Sequence, residues 1–287
     1  MQKPFRWTIS KREQVGRLLV GAPRVNLHEH GFLDDLRAAS ARIIALADHA
    51  DLAFIGRTPE NFFDYLSGAF ADIADAPKLH LVHFSLRWAG EGGVEAIAPD
   101  KLAVFFDYLR AEGIDAATIA RAPRPLALVD YVAQGGTMRN LIALLHLQAE
   151  RAGVDWNAVQ RRLRIIGLRV RTHNSPNTWR WQQHQDWLDL VPDTMIKNVS
   201  APASLLYHIA NDQPKVTQPF HPGRWDEDHE NTAPLTRAQR YALRLAVKLY
   251  DSGREREERA RLAAAIAREP QMRQAATRRM VLRLKGR

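Results

Sequence analysis

The sequence predicts an α/β fold: a mostly parallel sheet with helices on both faces, followed by a helical C-terminal region. Three observations predict it. Short apolar runs alternate with longer stretches whose apolar residues recur at helical spacing. The run Leu126-Ala-Leu-Val129 is continuously apolar, as a strand buried on both faces must be. The first and third of these runs end in Gly56 and Asp130 and lead into polar loops that precede a helix.

Residues 10–19 and 33–50 have helical spacing, the second with Leu36, Ala39, Ile43, Ile44 and Leu46 broadly on one side. Residues 51–56 read as a strand feeding the loop Arg57-Thr-Pro-Glu-Asn61, and residues 62–71 as a helix with Pro59 near its first turn. A second strand signal spans 78–88. An amphipathic helix follows over 100–112, with Asp100 as its expected cap. The strand at 126 leads through Gly135 and Gly136 into a helix over 138–151. A fourth strand covers 163–170. Beyond it, Trp187, Tyr207, Phe220 and Trp225 enrich the chain in aromatics while Pro214, Pro219 and Pro222 interrupt regular structure, so 186–234 reads as a hood over the sheet. Thr236 is the expected N-cap of a helix bearing Tyr241, Leu245 and Leu249. Residues 254–269 form a second helix, and Pro270 opens a third over 271–285. The organisation expected is an N-terminal helical extension (1–32), an α/β core (33–185), the aromatic hood (186–234) and a basic helical region (235–287).

Composition narrows the chemistry. The 287 residues are 46% hydrophobic and 25% charged, ordinary for a soluble globular protein. No run approaches the roughly 18 apolar residues of a membrane span, and no apolar stretch follows the first charges as a secretion signal requires, so the expectation is a cytoplasmic protein without a membrane partner. The absence of cysteine excludes disulfides, thiolate metal sites and a cysteine nucleophile. Neither a Gly-x-Ser-x-Gly elbow, a Gly-x-x-x-x-Gly-Lys-Ser/Thr loop nor a Gly-x-Gly-x-x-Gly fingerprint is present.

The net charge of +9 is localised. Residues 235–287 hold 15 Lys or Arg against 5 Asp or Glu, and the remainder is close to neutral. Such a region is either a solvated helical face, in which Glu255, Glu257 and Glu258 pair with Arg254, Arg256 and Arg259, or a surface for RNA, DNA or another polyanion.

In parallel sheets ligands collect beyond the carboxyl ends of the strands, and here the loops at those ends are polar. Gly135 and Gly136 allow close backbone approach, and the first amides of the following helix point toward any anion resting there; Thr137 adds a hydroxyl. Arg57 and Thr58, at the front of another helix, suit a pyrophosphate or simply cap and decorate that helix. In residues 173–183, Asn174, Ser175, Asn177, Gln182 and Gln183 offer amide and hydroxyl groups to a heteroaromatic ring on which Trp179 and Trp181 would stack. The same loop could instead be pinned as local core by those two tryptophans. His28-Glu29-His30 and Asp226-Glu-Asp-His229 contain metal-ligand types, and become a site only if separate segments converge.

The segment Val129-Asp-Tyr-Val-Ala-Gln-Gly-Gly-Thr137 resembles the phosphoribosyl-diphosphate loop of the type I phosphoribosyltransferases, in which a hydrophobic strand runs into two acids, two variable residues, a small or acidic residue, Thr or Ser, Gly, any residue and Thr. Asp130 falls on the second acid, Ala133 on the small position and Gly135-Gly136-Thr137 on the end of the pattern. Val129 replaces the first acid and Gln134 the first hydroxyl. The resemblance covers about half the chain. It implies a phosphoribosyltransferase-like core that transfers ribose 5-phosphate from phosphoribosyl diphosphate to a nitrogenous acceptor with Mg²⁺. In that reading Asp130 holds ribose hydroxyls or the metal shell, Gly135, Gly136 and Thr137 bind the 5′-phosphate with Gln134 as a further substrate-binding residue, Arg57 and Thr58 bind the pyrophosphate, and Asn177, Trp179 and Trp181 bind the acceptor. No general base is implied, since Ala133 stands where purine-using members often carry an acid. The alternative is a non-catalytic module that senses a nucleotide or binds RNA, with the basic helices supplying attraction.

Overall fold

The computed structural model describes residues 3–86, 93–171, 190–192, 195–227 and 234–286. Five strands form one sheet: β1 (Asp51–Ile55), β2 (Leu79–Val82), β3 (Leu126–Tyr131), β4 (Leu163–Val170) and β5 (Ile196–Ala201). Every neighbouring pair is parallel and the order is β2-β1-β3-β4-β5. The described helices are α1 (Arg12–Val15), α2 (Phe32–Ala47), α3 (Glu60–Phe70), α4 (Pro99–Glu112), α5 (Ala116–Arg121), α6 (Gly136–Arg151), α7 (Trp156–Arg162), α8 (Ala203–Tyr207), α9 (Arg237–Arg254), α10 (Arg256–Ile266) and α11 (Ala275–Leu284). The α/β architecture expected from the alternation of elements is therefore present.

Side-chain alternation along the strands builds two cores. Leu52, Phe54, Ala127, Val129, Ile166 and Leu168 face one way, against α2, α3, α8, α9, α10 and α11. Ala53, Ile55, Leu126, Leu128, Leu163 and Ile165 face the other, against α4, α5, α6 and α7. Both faces are thus covered, which is why the central strands read as unbroken apolar runs.

Several elements differ from expectation for identifiable reasons. The helix expected over 10–19 is one α-turn, then the 3₁₀ turn Gly16–Leu19, with Gly16 at a positive φ of 42° between them. The second strand stops at Val82, and the next backbone bond from this segment, Ser85 N–H to Phe220 O at 2.8 Å, goes to the returning chain. Asp100 does not cap α4; Ala98 occupies that position with Pro99 in the first turn. The fifth strand lies in the region expected to be an irregular hood. Of that region's aromatics, Phe220 and Trp225 are core residues: Trp225 stacks on Phe105 of α4 with ring centroids 4.3 Å apart, and both are fully shielded from solvent.

The C-terminal helices are built into the molecule. Thr236 caps α9 through a reciprocal box with Gln239. At Gly68 of α3 and Gly253 of α9 the two backbones meet: a Cβ on Gly68 would sit 1.9 Å from the Tyr250 carbonyl oxygen, and one on Gly253 2.1 Å from that of Tyr65. Leu262 and Ile266 of α10 and Met280, Val281 and Leu284 of α11 are buried in the first core. Many basic side chains here serve as caps. Arg244 donates to the carbonyls of Leu19, Ala22 and Pro23, Lys248 to that of Val25, and Arg259 to those of Gly68 and Ala71. Among the described residues no helix is long and apolar enough to cross a membrane.

Candidate functional site

The strand order creates a switch point. From β1 the chain crosses to β2 on one side, while β3 starts on the other and leads outward to β4 and β5. The loops leaving β1 and β3 therefore diverge, and the gap between them is where doubly wound sheets take ligands. A cleft of about 1010 Å³ occupies this gap. It is lined by Gly56, Arg57 and Thr58 after β1, by Ser85 and Leu86 after β2, and by residues 130–140 after β3. Its far wall comes from Tyr207, Asn211, Gln213, Lys215, Thr217 and Gln218. The structure thus brings together Arg57, Thr58, Asp130, Gln134, Gly135, Gly136 and Thr137 from two separate segments. Asn177, Trp179, Trp181 and the rest of their loop lie outside the described residues.

Two glycines turn the chain into the cleft. Gly56 has a φ of 72° at the end of β1, and a Cβ there would meet the Phe84 carbonyl oxygen at 3.1 Å. Gly135, with φ 84°, is the N-cap of α6 and supplies no capping side chain. The first helical bond runs from Arg139 N–H to Gly135 O at 2.9 Å, so the amides of Gly136, Thr137 and Met138 precede it and have no acceptor within the helix. Gln134 and Gly136 are exposed, and nothing lies within 4 Å of where a Gly136 Cβ would be. The turn is open to an anion, with the positive end of a 16-residue helix behind it.

Asp130 sits at the base of this turn, 6% exposed, with Oδ1 accepting its neighbour's Tyr131 N–H at 2.7 Å. Burial raises its carboxyl well above the usual carboxylate range, which favours the neutral acid. Val129 points the opposite way, into the first core, fully buried.

Sequence reasoning missed several residues of the site. Arg169 on β4 is 4% exposed, and its guanidinium donates to the carbonyls of Val132 at 2.7 Å and Ala133 at 2.5 Å, pinning the loop that leads into the glycine turn. Burial lowers its pKa. The only local signal is an arginine on the same strand face as Ile165, which reads more readily as exposed. Lys215 lines the opposite wall, burial bringing its ammonium down to about 8. Tyr207, 43% exposed on the rim, lies near Tyr131, whose phenol is raised by burial and then by Tyr207. Nothing local in the sequence points to residues 207–218, because the fold returns them to the cleft from beyond β5.

The charge of the cleft is one-sided. Arg57, Arg139 and Lys215 line it, and Asp130 is the one carboxylate among the described lining residues. Burial also lowers Arg57, with Glu60 opposing. His28, Glu29 and His30 sit on an exposed turn, and among the described residues no three His, Asp or Glu side chains converge as a metal site needs. Comparison with protein-family models, with curated proteins and with solved structures finds no match for this chain.

Proposed function

We propose that the cleft binds phosphoribosyl diphosphate or a related nucleotide, and that its reaction is the transfer of ribose 5-phosphate to a nitrogenous acceptor. One observation carries the reading: the phosphate-type turn at 134–137 and the Arg57-Thr58 helix front, 76 residues apart from Thr58 to Gln134, line the same cleft at the switch point of the sheet. The amides of residues 136–138 and the Thr137 hydroxyl suit the 5′-phosphate, and Arg57 and Thr58 suit the pyrophosphate. In the transfer, the bond from C1′ to the pyrophosphate oxygen breaks with both electrons leaving on pyrophosphate. The acceptor nitrogen forms the new bond to C1′ and gives up its proton to the departing pyrophosphate or to water. The chain's task is orientation and charge stabilisation of an oxocarbenium-like transition state.

Mg²⁺ fits this donor set in one way only. The ion commonly binds one or two carboxylates together with substrate phosphates, and Asp130 is the carboxylate that would hold it. Bound there, the ion would neutralise phosphate charge. Calorimetry with phosphoribosyl diphosphate, with and without Mg²⁺, tests binding, and pyrophosphate release with a panel of nitrogenous bases tests turnover. Absence of binding under both conditions would reject the proposal.

A second reading, a nucleotide-sensing module without turnover, is favoured by the state of the two acidic positions. Asp130 is driven toward its neutral form, and position 129 faces the apolar core, where a carboxylate could not serve the cleft. Saturable binding without pyrophosphate release for any base is its signature. RNA binding by the C-terminal helices remains a separate proposal, resting on exposed cations such as Arg273, Arg279 and Lys285.

A further inference from the structure

We infer that Lys215, acting with Arg57, selects ligands that carry a second, diphosphate group beyond the one seated on the α6 turn. The inference rests on the phosphorylated-ribose reading and adds a residue that comes from neither of the two motif loops.

The segment 213–217 is clipped to the start of α3 on both sides of the lysine. Asn61 Nδ2 donates to Gln213 Oε1 at 2.8 Å, and Thr217 Oγ1 to Glu60 Oε1 at 2.5 Å; Arg57 reaches the Thr217 carbonyl at 3.5 Å. Lys215 is thereby held at the cleft wall beside Arg57. Its Nζ donates one bond to the Ile209 carbonyl, which leaves further ammonium donors for a ligand.

The charged groups facing Lys215 are Arg57 from the loop after β1, Glu60 and Asp64 from α3, and Arg6, which reaches Asp64 from the N-terminal segment. Neither carboxylate is among the described residues that line the cleft, although the charge of Glu60 acts on Lys215 from behind. Glu60 accepts from Thr217, and both oxygens of Asp64 accept from Arg6 Nη2 at 2.6 and 2.8 Å. Arg57 and Lys215 line the cleft in front of these carboxylates, so the face presented to a ligand is cationic, as a polyanion requires. Burial, aided by Arg57 and opposed by Glu60 and Asp64, sets the ammonium at about 8, so the empty site is partly deprotonated in mild alkali. A diphosphate placed against it favours the charged amine, and binding there draws in a proton.

The test is calorimetry with inorganic pyrophosphate and, separately, ribose 5-phosphate, on the wild-type chain, Lys215→Met and Lys215→Arg between pH 7 and 9. Lys215→Met is expected to weaken pyrophosphate about tenfold to a hundredfold, the loss of one charge-assisted contact, while leaving ribose 5-phosphate unchanged. Lys215→Arg keeps its charge throughout, so wild-type affinity is expected to decline relative to this variant as pH rises through 8. Unchanged pyrophosphate affinity in Lys215→Met, equal weakening of both ligands, or parallel pH profiles for wild type and Lys215→Arg would each overturn the inference. So would a wild-type chain that binds ribose 5-phosphate but not pyrophosphate, an outcome that spares the glycine turn. Lysine-dependent pyrophosphate binding without ribose 5-phosphate binding would sink the turn and keep Lys215.

Discussion

Replacing Arg169 with methionine separates what holds the molecule together from what shapes its cleft. The substitution keeps an unbranched side chain and removes two donors, those to the carbonyls of Val132 and Ala133. Each bond involves a charged donor and is worth about 1.5–3 kcal/mol, so the gross loss is about 3–6 kcal/mol. Against it stands the cost of keeping a guanidinium 4% exposed, a penalty of several kcal/mol that methionine does not incur. The two nearly offset, and the net loss of global stability is expected to be about 1–2 kcal/mol. The local effect is larger in proportion. Ala133, Gln134 and Gly136 are exposed, and once unpinned this stretch must be ordered by the ligand, at about 1–2 kcal/mol of backbone entropy per residue. Two such residues are expected to lower the proposed affinity for ribose 5-phosphate by roughly thirtyfold to nearly a thousandfold, with most of the change in the entropy of binding. Urea denaturation and calorimetry on the same preparation measure both effects. A variant that loses stability yet binds ribose 5-phosphate like the wild type would refute the positioning role of Arg169.

Three further outcomes follow from the geometry. Gly68→Ala would force a Cβ to 1.9 Å from backbone at Tyr250, so despite alanine's gain of about 1 kcal/mol in helix propensity the variant should be destabilised by several kcal/mol; a rise in the urea midpoint would contradict the packing. Asp130→Asn should gain stability relative to wild type as pH rises from 4 to 8. The native carboxyl titrates far above its unfolded value, so its contribution is present in acid and fades with increasing pH. Asp64, raised to about 6 because burial outweighs its pairing with Arg6, gives both proteins the same additional slope; parallel thermal midpoints of the two across this range would contradict the burial of Asp130. Truncation after Gly253 should leave an aggregating or molten chain, because Leu262, Ile266, Met280, Val281 and Leu284 are core residues; a cooperative thermal transition in the truncated protein would show otherwise. RNA binding by these helices is therefore better tested by neutralising Arg273, Arg279 and Lys285.

What the sequence disclosed depended on where each signal resides. The strands β1 and β3 and the turn into α6 are legible because a strand buried on both faces is largely apolar and a close backbone approach needs glycine, and β4 is legible through Ile165, Ile166, Leu168 and Val170 despite its two arginines. The edge strand β5, Ile196-Lys-Asn-Val-Ser-Ala201, escaped because it pairs with β4 and its buried positions, 196, 199 and 201, give neither an apolar run nor a strict alternation. Trp225 and Phe220 suggested a hood since their partner, Phe105, lies more than a hundred residues earlier; only the sheet order brings them together. Half of the cleft was legible for the same reason that β3 was. Arg169 and Lys215 were not, because their significance comes from carbonyls and carboxylates delivered by other segments.

The meeting of Gly68 with Gly253 bears on how the protein matures during synthesis. The helix that begins beside Arg57 settles into its final seat only when a stretch translated nearly two hundred residues later arrives to lie against it. A nascent chain halted after β4 carries both motif loops and none of the wall formed by residues 207–218. The cleft therefore acquires its last wall only after residues 207–218 have been made, long after both loops that open it.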